Sequence, residues 1–168
     1  MGYTTTFVGQ FAVSPPLKFE HVNYINAFSG SRRMKRDARK AETLPDPVRL
    51  AVGLPVDLSG GYFVGGGGLA GQDDDKSVLD HNSPPSGQPS LWCQWVATAD
   101  GTAIEWDGGE KFYEYVVWIQ YLIQHFFAPW SYVLNGEVRW QGEEDDDMGK
   151  TIINNNVVTT KKGRVVYT

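Results

Sequence analysis

At helical period the apolar positions of residues 107–129, DGGEKFYEYVVWIQYLIQHFFAP, occupy nearly every side. Such a helix belongs inside a layer of other structure, so the pattern predicts one long buried helix over about 110–128. Asp107 followed by Glu110 has the form of an acidic capping box, and Pro129 ends the run. Upstream, residues 4–13 are rich in Thr, Val and Phe and predict a first strand, closed by Ser14-Pro15-Pro16. With Ser14 as a cap and Pro15 at a first helical position, a shorter helix over about 17–28 should follow. Its apolar residues Phe19, Val22, Ile25 and Phe28 fall three apart on one face, and Gly30 supplies a stop.

Residues 91–99 and 102–106 predict two strands joined by a two-residue turn at Asp100-Gly101, where both positions accept positive φ. Large groups on both faces of the first strand predict a central place in the sheet. Past the long helix, residues 132–134, 137–141, 151–160 and 164–167 read as an antiparallel meander, with an acidic turn GEEDDDMG and a KKG turn. Asn135-Gly136 reads either as a tight turn or as a bulge in one long strand, and residues 60–64 are a further strand candidate. The sum is an α+β fold, a mostly antiparallel sheet packed on the long helix and the shorter one. Residues 1–168 are expected to form a single domain. It carries a long irregular connection over about 29–61, with one short helical turn, and a Gly/Asp/Pro-rich loop region over about 65–90.

Composition leaves this picture intact: 41% hydrophobic and 21% charged residues suit an ordinary globular core. The net charge of −5 argues against nonspecific adhesion to nucleic acid or anionic membrane, without excluding a local basic site. A single cysteine, Cys93, excludes an intramolecular disulfide framework and a multi-cysteine zinc site. The start MGYTTTFVGQF lacks the pattern of a signal peptide, and Gly2 with Thr6 matches a myristoylation signal only weakly. Glu110, Lys111, Glu114, Gln120, Gln124 and His125 interrupt the long helix too often for a membrane span. The expectation is a cytoplasmic protein with no membrane association and no cofactor.

The LWCQW strand, the WDGGEKFYEYVVWIQYLI helix start and the LNGEVRWQGEEDDDMG hairpin together resemble a family of small bacterial and phage-borne proteins of uncharacterised activity. The likeness covers the second half of the chain and part of the first. It implies a bacterial or phage domain, and it brings neither an activity nor site residues.

Cys93 with His21, His81 or His125 and an acid would supply a thiol nucleophile, its base and an orienting group. Its place mid-strand between Trp92 and Trp95 favours an inert core thiol. His125 more simply complements the dipole at a helix end. Asp73, Asp74, Asp75, Asp80 and His81, and the acids at 143–147, lack the spacing of a calcium loop and read as solvated turns, so no metal is expected. YFVGGGGLAG lacks both the Lys-Ser/Thr ending of a phosphate loop and a dinucleotide fingerprint. Most of Trp92, Trp95, Trp106, Trp118, Trp130 and Trp140 belong to the core, with one or two free to anchor an interface at a sheet edge.

The run Arg32, Arg33, Lys35, Arg36, Arg39 and Lys40 remains the best surface candidate. It reads first as a solvated loop or an internal partner for the acidic runs, and second as a nucleic-acid site, since stacking aromatics are missing from it. Arg32, Arg33, Lys35 and Arg36 are therefore the partner-binding candidates, toward an acidic protein or a nucleic acid. The expected function is a small binding module without a catalytic motif, acting on a macromolecular partner through charged loops. One alternative is a small enzyme acting on a nucleotide or other phosphorylated compound held at residues 65–68. The other is a self-associating structural or anti-defence protein.

Overall fold

The computed structural model describes residues 2–65 and 75–168. Its strands are β1 (Thr6–Ser14), β2 (Lys35–Arg36), β3 (Val78–Asp80), β4 (Trp95–Ala97), β5 (Ala103–Trp106), β6 (Val133–Gln141), β7 (Met148–Asn154) and β8 (Val157–Lys162). Its helices are α1 (Phe19–Ser29), α2 (Ala38–Glu42), α3 (Pro47–Ala51) and α4 (Tyr115–Leu122), the last running on into a π-helical turn over Ile123–Phe127. The chain divides into two compact units, Met1–Leu17 with Gln94–Thr168, and Lys18–Cys93. The first holds a six-stranded sheet of order β4-β5-β1-β6-β7-β8, and the second holds the β2–β3 pair with α1, α2 and α3. The architecture is α+β and every pairing in the large sheet is antiparallel. Among the described residues no helix is long and apolar enough to cross a membrane.

In the first unit β1 lies between β5 and β6 and pairs with β6 over its whole length, from Thr6 opposite Gln141 to Ser14 opposite Val133. Gly9 makes the approach feasible: at φ +111° it tolerates what a side chain would not, and a Cβ there would fall 2.7 Å from the Glu137 carbonyl oxygen. Strand alternation turns Phe7, Phe11 and Val13 inward, level with Leu134 and Val138 of β6 and with Thr151 and Ile153 of β7. The Phe7 ring meets Trp95, Trp106, Phe112 and Tyr115 at centroid distances between 4.8 and 5.7 Å. The indole of Trp95 donates to the Tyr115 carbonyl at 2.9 Å, tying β4 to the first turn of α4.

The helix differs from the one expected over 110–128. It is an eight-residue α-helix followed by a five-residue π turn, and it begins at Tyr115. Lys111 and Glu114 take left-handed φ of +59° and +58°. Gln94 donates to the Glu110 carbonyl and the Trp106 indole to the Gly109 carbonyl. Residues 107–114 are thereby folded against β4 and β5, with Phe112 buried among the rings, and Asp107 accepts from the Gly109 N–H instead of capping a helix. Burial is also one-sided, since Val117, Gln120 and Gln124 are exposed.

Several turns move as well. β4 is an edge strand and not a central one. In its hairpin only Gly101 takes positive φ, at +74°, while the Asp100 carboxylate accepts from Thr98 and Thr102. The two-residue turn sits at Asn155-Asn156, with φ of +47° and +68°, closing on the Asn154–Val157 pair and dividing the run 151–160 into two strands. Asn135-Gly136 lies inside the single strand β6. Residues 60–64 and 164–167 are not strands. The shorter helix forms close to its expected place, but Ser14 closes β1 and Lys18 occupies the cap position.

In the second unit α1 buries Val22, Tyr24, Ile25 and Phe28, while Ala41, Val56 and Phe63 form a small cluster flanked by Ala38 and Leu44. The connection expected to hold one helical turn contains both α2 and α3. Phe7→Ala, which removes a ring shared by four others, is expected to lower the unfolding free energy by about 3–5 kcal/mol. Urea denaturation of the two proteins measures the loss, and the solvent-facing Thr6→Ala should change stability by less than about 0.5 kcal/mol.

Candidate anion-binding face

The alternation that sends Phe7 and Phe11 inward brings the intervening residues of the same sheet to its outer side. There Val8 stands opposite Arg139, Arg139 opposite Lys150, and Lys150 opposite Lys161, a single row across β1, β6, β7 and β8. At the usual strand spacing the three cations span about 10 Å. The row on one side is Thr6, Gln141 and Met148, and on the other Gln10, Glu137, Ile152 and Thr159. A depression of about 510 Å³ lies over this region, its lining including Val8, Arg139, Met148, Lys150 and Lys161.

Like charges directly opposite on neighbouring strands destabilise a sheet. One carboxylate answers them, Glu137, whose Oε2 lies 3.1 Å from the Lys150 ammonium, and both side chains are well exposed. An exposed pair of this kind offsets at most about 1 kcal/mol. Arg139 and Lys161 form no salt bridge with a carboxylate among the described residues, so the row carries surplus positive charge in a protein whose net charge is −5. What the arrangement can do is hold an anion against an apolar floor of Val8 and Met148.

The four residues singled out from sequence lie in the second unit and do not share a surface. Arg33 is 1% exposed, its guanidinium 4.2 Å from the Phe28 ring centroid, and it donates to Gln88 and to the Phe63 carbonyl. Arg36 is 2% exposed, lies over the Phe63 ring, and donates to Asp75 at 2.7 Å and to Ser77 at 2.8 Å. Arg32 is half-buried and donates to the His81 carbonyl and to Asn82, and Lys35 is exposed. The basic run thus does find an internal partner in the first acidic run, at Asp75. Asp73, Asp74 and residues 66–68 of the glycine loop lie outside the described residues.

Burial alone would raise the Asp75 pKa, but hydrogen bonds from Ser77 and Arg36 outweigh it and hold the carboxyl below its usual 3.8. In the second acidic run Asp147 is structural, accepting from the Tyr3 hydroxyl at 2.6 Å and from the Trp140 indole at 3.3 Å, whereas Glu143, Glu144, Asp145 and Asp146 are exposed. Burial, and then the charges of Asp147 and Tyr3, push the Tyr115 hydroxyl up to about 12. Cys93 is completely buried, a poor position for a nucleophile that must meet a soluble substrate. Among the described residues no group of three His, Cys, Asp or Glu is arranged to hold a metal ion.

No family model, no curated protein and no solved structure matches the chain, so a functional reading must stand on its own geometry.

Two stability effects follow from these charges. Asp75→Asn leaves the buried Arg36 without its counter-charge and should cost about 1–3 kcal/mol in chemical denaturation. Because the folded state keeps Asp75 ionised to lower pH than the unfolded chain does, its contribution is complete above the unfolded pKa. It disappears as pH falls through the lower folded value, and this acid limb should be missing from the Asp75→Asn variant. Lys161→Thr should raise stability by about 0.2–1 kcal/mol by relieving the row, with the gain shrinking as salt screens the wild-type repulsion.

Proposed function

We propose that this protein is a binding module that takes an anionic macromolecule on the outer face of its large sheet. The observation that supports this reading is the uninterrupted row Arg139, Lys150 and Lys161, three cations placed opposite one another over a depression with an apolar floor. A folded protein gains nothing in stability from such a row, and an anion converts its cost into binding energy. Association through these groups would be steered by charge and weakened by salt. This reading keeps the expected class, a module recognising its partner by charge, and moves the contact from the basic run of the second unit to the sheet of the first.

Heparin serves as a generic polyanion for the test. Wild-type protein should bind it in low salt, and the triple variant Arg139→Glu, Lys150→Glu, Lys161→Glu should bind at least about tenfold more weakly, with a shallower dependence on salt. The control Arg32→Glu with Lys35→Glu should change binding by less than about twofold, because neither residue belongs to the row. Equal heparin affinity for wild type and the triple variant would remove the proposal.

A further inference from the structure

The outer face ends at a strand whose far side is open. Among the described residues β8 has β7 on one side and no strand on the other, and every residue in it except Val158 is exposed. The Asn154–Val157 pair closes a two-residue turn, and the Gly163 N–H donates to the Met148 carbonyl at the far end of the hairpin. In an antiparallel ladder bonded pairs alternate. That register turns the backbone groups of Val157, Thr159 and Lys161 toward β7, and those of Val158, Thr160 and Lys162 outward.

The cationic row runs into this open edge, because Lys161 is its last member. We propose that the anionic partner is an extended acidic polypeptide segment that adds as a further strand along β8. The inference rests on the reading of the cationic face given above. A strand laid there would take backbone hydrogen bonds from Val158, Thr160 and Lys162, the mode of recognition in which the main chain supplies affinity and alternate side chains supply specificity. An acid opposite Lys161 would extend the row Arg139, Lys150, Lys161 with the charge it lacks. Two residues along, the position beside Thr159 and Ile152 suits a β-branched residue. On the other side of the added strand Lys162 offers a second cation to an acid.

A nucleic acid fits the same face less well. The outward residues of β1, β6 and β7 flanking the row are Thr6, Val8, Gln10, Glu137, Gln141, Met148 and Ile152, none of them aromatic. Trp140 is turned to the opposite side, where its indole donates to Asp147 and its ring occupies the space a Cβ on Gly149 would need. Bases would find no ring to stack on. Edge strands are commonly protected by proline, a bulge or charge. β8 has neither of the first two, and its lysines repel cationic strands while admitting acidic ones.

The probe is a fluorescein-labelled eight-residue peptide with the repeat Glu-Glu-Val-Val, titrated against the full chain by fluorescence anisotropy. Run antiparallel to β8, it sets Glu opposite Lys162 and Lys161 and Val opposite Thr160 and Thr159. Its counterpart carries the same side chains but is N-methylated at every residue, so that neither edge can donate to β8. The unmodified peptide should bind with salt sensitivity, the N-methylated one about tenfold or more weakly, and the peptide should slow hydrogen exchange at Val158, Thr160 and Lys162. Thr160→Pro removes an outward N–H without touching the β7 ladder. It should weaken peptide binding about tenfold and change heparin binding by less than about twofold.

Equal binding of both peptides, or no slowing at those three amides, overturns strand addition while leaving the cationic face intact. A single-stranded oligonucleotide that binds more tightly than the peptide, and is indifferent to Thr160→Pro, also overturns it. Unchanged heparin affinity in the triple charge-reversal variant instead removes the reading on which it rests. The exchange and N-methylation measurements use wild-type protein and decide the matter even if Thr160→Pro fails to fold.

Discussion

The ladder between β1 and β6 is the constraint on which the first unit depends. It joins a strand near the start of the chain to one that begins at Val133, and without it the β4–β5 and β6–β7–β8 groups would be separate pieces. Closing so long a loop costs entropy before any contact repays it. The repayment is the aromatic cluster around Phe7, assembled when β1 enters the sheet. Core and outer face are two consequences of one register. A slip of β1 by a single residue would exchange the faces of Phe7 and Phe11 with that of Val8, turning the rings out of the core and away from the cluster they complete.

Positive charge has opposite uses in the two units. Arg33 and Arg36 serve as interior cross-links, their guanidinium planes resting on Phe28 and Phe63 while their N–H groups satisfy carbonyls, Gln88, Ser77 and Asp75. A planar fork with several donors suits that task better than an ammonium does. Arg139, Lys150 and Lys161 are held at the surface by strand geometry, where their mutual repulsion is left largely unanswered. Charge density along the chain points to the first set, and charge density in space points to the second.

The apolar and β-branched patterns made the class of fold, the first strand, α1 and the antiparallel C-terminal region legible. The start of α4 was not legible, because Glu110 and Lys111 are acceptable helix residues. What denies them a helix is the pull of Phe112 into the ring cluster, with Gln94 and Trp106 holding the intervening carbonyls. The row of cations was hidden by a turn. Reading 151–160 as one strand assigns Lys161 to a loop, whereas the Asn155-Asn156 turn folds it back beside Lys150. The signal was present in three consecutive asparagines, a residue type that tolerates positive φ, between two runs of β-branched residues.

By itself the sequence determined what depends on neighbours along the chain: which stretches favour strand or helix, that apolar and polar residues alternate in the strands, and that one cysteine can build no disulfide framework. Tertiary structure decided what depends on neighbours in space. It chose the order of strands, the edge position of β4 and β8, the burial of two arginines, and the meeting of three cations from three strands in one row. The physical reason is that strand pairing is set by register between distant segments, and a side chain's charge acquires its role only when that register supplies the groups beside it.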